Sequence, residues 1–190
     1  MNLTDYQSSA RSTAIYLDIE HNRMLYPALG IIGECGEVAE KTKKLIRDDD
    51  GHMSPDRIAA IAKELGDCCW YLANICCDTN LDLSMMYEMR GAAITHEIRG
   101  LMLPQLVLCM NRHAADSAKA LEEWYYTYDC RLNESGRFPS LPQHISYIVV
   151  CIEEIARRCG FTLEDICVAN IEKLAGRKQR GTLKGDGDDR

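Results

Sequence analysis

Several features are missing from this chain, and each absence removes a class of function. No uncharged apolar run approaches the roughly 18 residues that a membrane helix needs, so no membrane partner is expected. Met1 to Gln7 lack the basic start and apolar stretch of a signal peptide. No segment alternates apolar and polar residues with period two, which argues against strands. Positive charge is in deficit. The net charge of −7 and pI near 5.3 disfavour a nucleic-acid or anionic-membrane surface. The ten cysteines contain no C-x-x-C spacing, and most fall at helical core positions. They read as reduced small hydrophobes in a cytoplasmic protein rather than as a disulfide framework or zinc site.

What remains is 190 residues, 46% of them hydrophobic. That is enough for one all-α domain with a sizeable core. Thr4 and Gln7 make a capping box for a first helix through Tyr6, Ala10, Ala14 and Leu17, ending near His21-Asn22. A second helix runs from Pro27 to about Arg47, with its apolar stripe at Ala28, Ile31, Ile32, Cys35, Val38, Ala39, Thr42, Leu45 and Ile46. Asp48 to His52 form a loop. Ser54 caps a third helix with Pro55 at its first position. That helix buries Ile58, Ile61, Leu65, Cys68, Leu72 and Ile75 beside a second stripe of Glu64, Asp67, Tyr71, Asn74 and Asp78. Asp82 caps a fourth helix carrying Met85, Met86 and Met89, which read as core or as a helix interface. Helices over 101–130 and 143–159 follow, separated by a loop at 133–142. Thr162 caps the last helix, with Asp165 three residues on.

Residues 24–90 and 101–171 can be laid over each other as a degenerate tandem repeat. The offset is 77 at Pro27 and 80 at Leu81. Glu34 and Glu37 then fall opposite Asn111 and Ala114, and Glu64 and Asp67 opposite His144 and Tyr147. The second half reads as a copy that lost its carboxylates and retained the packing.

The chemistry concentrates in two short runs, Gly33 to Glu40 and Lys63 to Tyr71. Glu34 and Glu37 are three residues apart, as are Glu64 and Asp67, so each pair shares a helix face. On solvated faces such pairs are ordinary. Two antiparallel helices would instead gather four carboxylates, which raise one another's pKa until a divalent cation intervenes. Gly30, Gly33, Gly36 and Gly66 favour the second reading. Interior helix glycines cost about 1 kcal/mol each against alanine, so something is expected to approach the backbone closely. Di-iron bundles use E-x-x-H motifs, which are missing here. All-oxygen ligands suit Mg²⁺ or Mn²⁺.

The paired E-x-x-E and E-x-x-D, with 26 residues between them, resemble the signature of the MazG-like all-α nucleoside triphosphate pyrophosphohydrolases. Residues 28–40 and 64–72 look like that family's two core helices. Asn170-Ile171-Glu172-Lys173-Leu174, with Arg177 and Arg180 beyond, is similar to its closing N-x-x-K-L-x-x-R motif. The likeness covers residues 5–83 and 161–190; residues 84–160 are longer than in the short members. It implies a Mg²⁺-dependent enzyme that cleaves a nucleoside triphosphate between its α- and β-phosphates in nucleotide house-cleaning. By motif position, Glu34, Glu37, Glu64 and Asp67 would hold metal. Lys173 and Arg177 in the basic tail 172–190 would reach phosphates, with Arg180 beside them and Asn170 adding a hydrogen bond. The same cations would also suit a solvated helix end.

Some members have an extra leading glutamate as base, where this chain has Gly33. That leaves Glu34 or Glu37 to orient the water, or metal coordination alone to suffice. Trp70 and Tyr71, with Tyr6, Gln7 and His21, read as core or as a base-stacking platform. A homodimer is expected, since two-fold oligomers are common. The rival readings are a nucleotide or metal sensor without turnover, and a structural helical protein.

Overall fold

The computed structural model describes residues 1–17, 24–128 and 140–183. The expected end of the first helix at His21-Asn22, most of the 133–142 loop, and Lys184 and Arg190 of the basic tail lie outside the described residues. The protein is an all-α helical bundle, and no strand occurs among the described residues. No helix there is long and apolar enough to cross a membrane.

Eight helices occur among the described residues: α1 (Leu3–Arg11), α2 (Leu25–Asp49), α3 (Pro55–Asp78), α4 (Leu83–Glu88), α5 (Gly91–Arg99), α6 (Leu103–Tyr128), α7 (Leu141–Arg158) and α8 (Leu163–Gln179). Helix α2 packs on α3 on one side and on α6 on the other. Helix α7 backs α6, while α1 and α8 cover α3. Ile31, Cys35 and Val38 of α2 meet Ile61, Leu65 and Leu72 of α3 in one apolar core that continues into Leu106, Met110, Ile148 and Ile152. Fully burying one such side chain stabilises the fold by about 1.5–3 kcal/mol. The described cysteines are free thiols and nearly all buried.

Most helix starts follow the expected chemistry. The Ser54 side chain accepts from the Arg57 amide, and Thr162 with Asp165 closes a capping box. Helix α2 ends at a left-handed Asp50 and Gly51, whose amide bonds back to the Leu45 carbonyl.

Three elements differ from expectation. Asn2, not Thr4, caps α1, accepting from the Asp5 amide at 2.8 Å. Gln7 instead clamps the turn after α3, donating to the Leu81 carbonyl and accepting from the Leu83 amide. Helix α1 stops at Arg11 because its last carbonyls are taken. Ser12 Oγ donates to Ser9, and both Thr13 Oγ1 and Trp70 Nε1 donate to Ala10. Hydroxyls that bond locally in this way compete with the next helical turn. Residues 91–99, read as no element in the sequence, form α5. In α4, Met86 is buried while Met85 and Met89 are largely exposed.

The face of α3 that carries the second stripe divides in two. Its lower half, Asn74 and Asp78, is spent on structure. Arg11 bonds Asp78 at 2.6 Å, Tyr16 OH donates to the other Asp78 oxygen at 2.5 Å, and Arg11 also reaches Asn74. This buried network ties the segment after α1 to the end of α3, and so places Thr13 and Ile15. The upper half of the stripe faces open space.

Candidate functional site

That space is a cleft of about 460 Å³, within the size range of small-molecule sites. Helix α2 contributes Tyr26, Glu34 and Glu37, and α3 contributes Glu64, Asp67, Trp70 and Tyr71. Helix α8 adds Leu174 and Arg177, the segment after it Leu183, and the segment after α1 adds Thr13 and Ile15.

Glu34, Glu64 and Asp67 converge: one carboxylate oxygen from each lies within 4.8 Å of the other two. Glu64 is buried and the other two are half-buried. Glu37 stands outside this group. It is exposed at the cleft's edge, where Lys41 Nζ lies 3.7 Å from it and 3.5 Å from Glu64. Burial, reinforced by the charges of Asp67 and Glu64, pushes the Glu34 carboxyl up to about 7.

Asp67 is held from α8. Lys173 Nζ bonds both its oxygens, at 2.5 and 2.6 Å, and Asn170 Nδ2 donates to Oδ1 at 3.0 Å. Asn170 is itself oriented by Tyr6, whose hydroxyl donates to Asn170 Oδ1 at 2.9 Å. Burial keeps the Tyr6 phenol pKa well above its ordinary value, so it stays a donor. The closing motif thus reaches the acidic cluster, and Asn170 and Lys173 contact Asp67 directly. Arg177 lines the cleft. Arg180 does not line it, and its guanidinium folds back over Gly176.

The glycines separate into two kinds. A Cβ at Gly30 would lie 2.0 Å from the Tyr71 ring, and one at Gly66 would lie 3.1 Å from Asn170 Cβ. Those two do admit a close neighbour. Gly33 and Gly36 are exposed with nothing within 4 Å of such a Cβ, so close approach within the chain does not explain them.

Sequence reasoning missed Tyr26, Thr13 and Ile15. Tyr26 carried a readable signal: Tyr26, Gly30 and Glu34 repeat every four residues on one face. The Tyr71 ring fills the gap at Gly30, and Tyr26 stacks on Tyr16 at 4.7 Å. Thr13 and Ile15 carried none, because the first helix was expected to continue through them. Tyr6 and Gln7, weighed as base contacts, are structural; His21 lies outside the described residues.

Fold and site together define a helical-bundle protein with a carboxylate-lined cleft walled on one side by aromatic rings. The chain is similar to the "Gene 37 protein" of Mycobacterium phage L5, being 38% identical over 92 residues that span 46% of this chain and 81% of the phage protein. It belongs to the family of that protein. No model of a known protein family and no solved structure matches the chain.

Proposed function

We propose that the protein is a MazG-like, Mg²⁺-dependent nucleoside triphosphate pyrophosphohydrolase that acts on deoxynucleotides in nucleotide-pool house-cleaning. The observation that carries this reading is the convergence of Glu34, Glu64 and Asp67, from two helices, in a cleft of nucleotide size. The donor set fits a hard divalent cation. It is all oxygen, and without a cation burial, reinforced by the charges of Asp67 and Glu64, drives Glu34 towards the protonated form. Mn²⁺ fits the same donors.

On this reading Glu34, Glu64 and Asp67 hold the ion, and Glu37 guards the rim within reach of a second one. A bound ion supplies polarisation of the phosphoryl oxygens and a more acidic water. Water adds at the α-phosphorus and the bond to the bridging oxygen breaks, giving nucleoside monophosphate, pyrophosphate and a proton. Glu34 is better suited than Glu37 to take that proton, since it lies deeper in the cleft beside Glu64 and Asp67. Lys173 neutralises Asp67 in the free protein, and with an ion bound its ammonium would be available to phosphate. Arg177 faces the phosphates from α8. Tyr26, Trp70 and Tyr71 form the wall against which the base stacks. The protein would work in the cytoplasm as a homodimer. Exposed Leu29 and Ile32, with Gly33 and Gly36 bare beside them on α2, are the surface offered to a second copy.

A nucleotide sensor without turnover is the second reading. It is favoured by the tight Lys173–Asp67 pair and by Gly33 at the position of the extra glutamate. Calorimetric titration with Mg²⁺ and Mn²⁺ tests what both readings share. The wild type should bind with defined stoichiometry and Asp67→Asn should not. Heats of dilution alone in the wild type would remove the metal site and both readings with it.

A further inference from the structure

The second hairpin, α6 with α7, carries a cluster of its own. His113 and Asp116 lie three apart on α6, and His144 faces them from α7. One ligand atom from each lies within 4.8 Å of the other two. His113 Nδ1 and His144 Nδ1 are 2.9 Å apart, and Asp116 Oδ2 is 4.0 Å from His144 Nδ1. The offset of 80 sets His144 opposite Glu64. His113 and Asp116, at the offset of 77, fall opposite Gly36 and Ala39, so only His144 takes the place of a carboxylate.

The setting is built rather than incidental. His113 is only 8% exposed, so its ring is held within the hairpin. The Tyr147 ring stacks on it at 4.2 Å, with planes 14° apart, fixing the imidazole's orientation. One of the two nitrogens donates a hydrogen bond to the other, with a carboxylate beside them; a metal ion replacing that proton would find three lone-pair donors in one small space. Zinc–nitrogen bonds of about 2.0–2.1 Å at a tetrahedral angle would separate the two nitrogens by about 3.3 Å. The rings need open by only a few tenths of an ångström.

We propose that His113, Asp116 and His144 form a second metal site, selective for a borderline divalent transition ion of the Zn²⁺ class. Imidazole nitrogens prefer such ions to Mg²⁺, whereas the carboxylate cleft has the opposite preference. Three protein ligands leave one coordination position for water or an external ligand. The site stands on these residues alone and does not depend on the phosphohydrolase reading.

Cobalt titration of the full chain, after chelator treatment, tests it. The wild type should develop visible d–d bands at one ion per chain, displaced by Zn²⁺ but not by excess Mg²⁺. His144→Gln and Asp116→Asn should each weaken binding about tenfold or more, while a Glu34→Gln/Asp67→Asn double variant keeps it. No bands in the wild type, unchanged affinity in both His144→Gln and Asp116→Asn, or loss of the bands in the double variant would each overturn the proposal. Asp116 is half exposed, so Asp116→Asn supplies the comparison even if His144→Gln fails to fold.

Discussion

Replacing Glu34 by glutamine should make the metal-free protein more stable at neutral and alkaline pH. The carboxyl is pushed from about 4.5 to about 7 by burial and by its acidic neighbours. The folded state therefore binds a proton that the unfolded chain has already released, between those two values. Stability is unpenalised below pH 4.5, falls as pH rises through the window, and carries the full penalty above pH 7. At 1.36 kcal/mol per unit the shift is worth about 3 kcal/mol. Solvent screening of a half-exposed group reduces that to about 2 kcal/mol. For a chain of this length the gain corresponds to about 4–8 °C in Tm. Thermal unfolding followed by circular dichroism with chelator present should show Glu34→Gln melting higher at about pH 8 and equal to wild type at about pH 4. Saturating Mg²⁺ should reverse the order, because the wild type then gains a ligand bond that the amide supplies poorly. A variant no more stable than wild type at about pH 8, or equally stabilised at both pH values, would refute the placement of Glu34 in a crowded acidic cluster.

Two further perturbations probe what holds the cleft. Asn170→Ala removes the link between Tyr6 and Asp67, both hydrogen-bonded to it; it should cost about 1–3 kcal/mol in denaturant unfolding, and a loss below that range would mean the link is idle. Asp78→Ala strips the buried partner from Arg11 and Tyr16. A loss of about 3–5 kcal/mol is expected, against no change if that network is merely surface decoration.

Much of the bundle was readable because its signals are local. Ser54-Pro55 and Thr162 with Asp165 announce helix starts through side chains that bond amides three residues away. The periodic stripes on α2 and α3 foretold most of the buried residues, although Ile32 and Ile46 of the α2 stripe are exposed. Failures came where a distant group decides. The end of α1 is set by the Ser12 and Thr13 hydroxyls together with Trp70, sixty residues beyond Ala10, and α5 is a short segment lying against α7. The acidic pairs were legible from spacing, yet the pairing was only partly right. Glu34 sits deep with Glu64 and Asp67, while Glu37, one turn on, emerges at the rim. That Asn170 and Lys173 would touch Asp67 follows from α8 crossing α3, which no local pattern encodes. Gly30 and Gly66 mark close neighbours as expected. Gly33 and Gly36 show the limit of that inference, because an interior glycine signals room without saying what fills it.

Product analysis with a panel of deoxynucleoside triphosphates and Mg²⁺ bears most directly on the central claim. The account predicts nucleoside monophosphate and pyrophosphate in equal amounts, with turnover lost in Asp67→Asn despite an intact fold. Absence of turnover with every nucleotide, orthophosphate with diphosphate as products, or full activity in Asp67→Asn would contradict it.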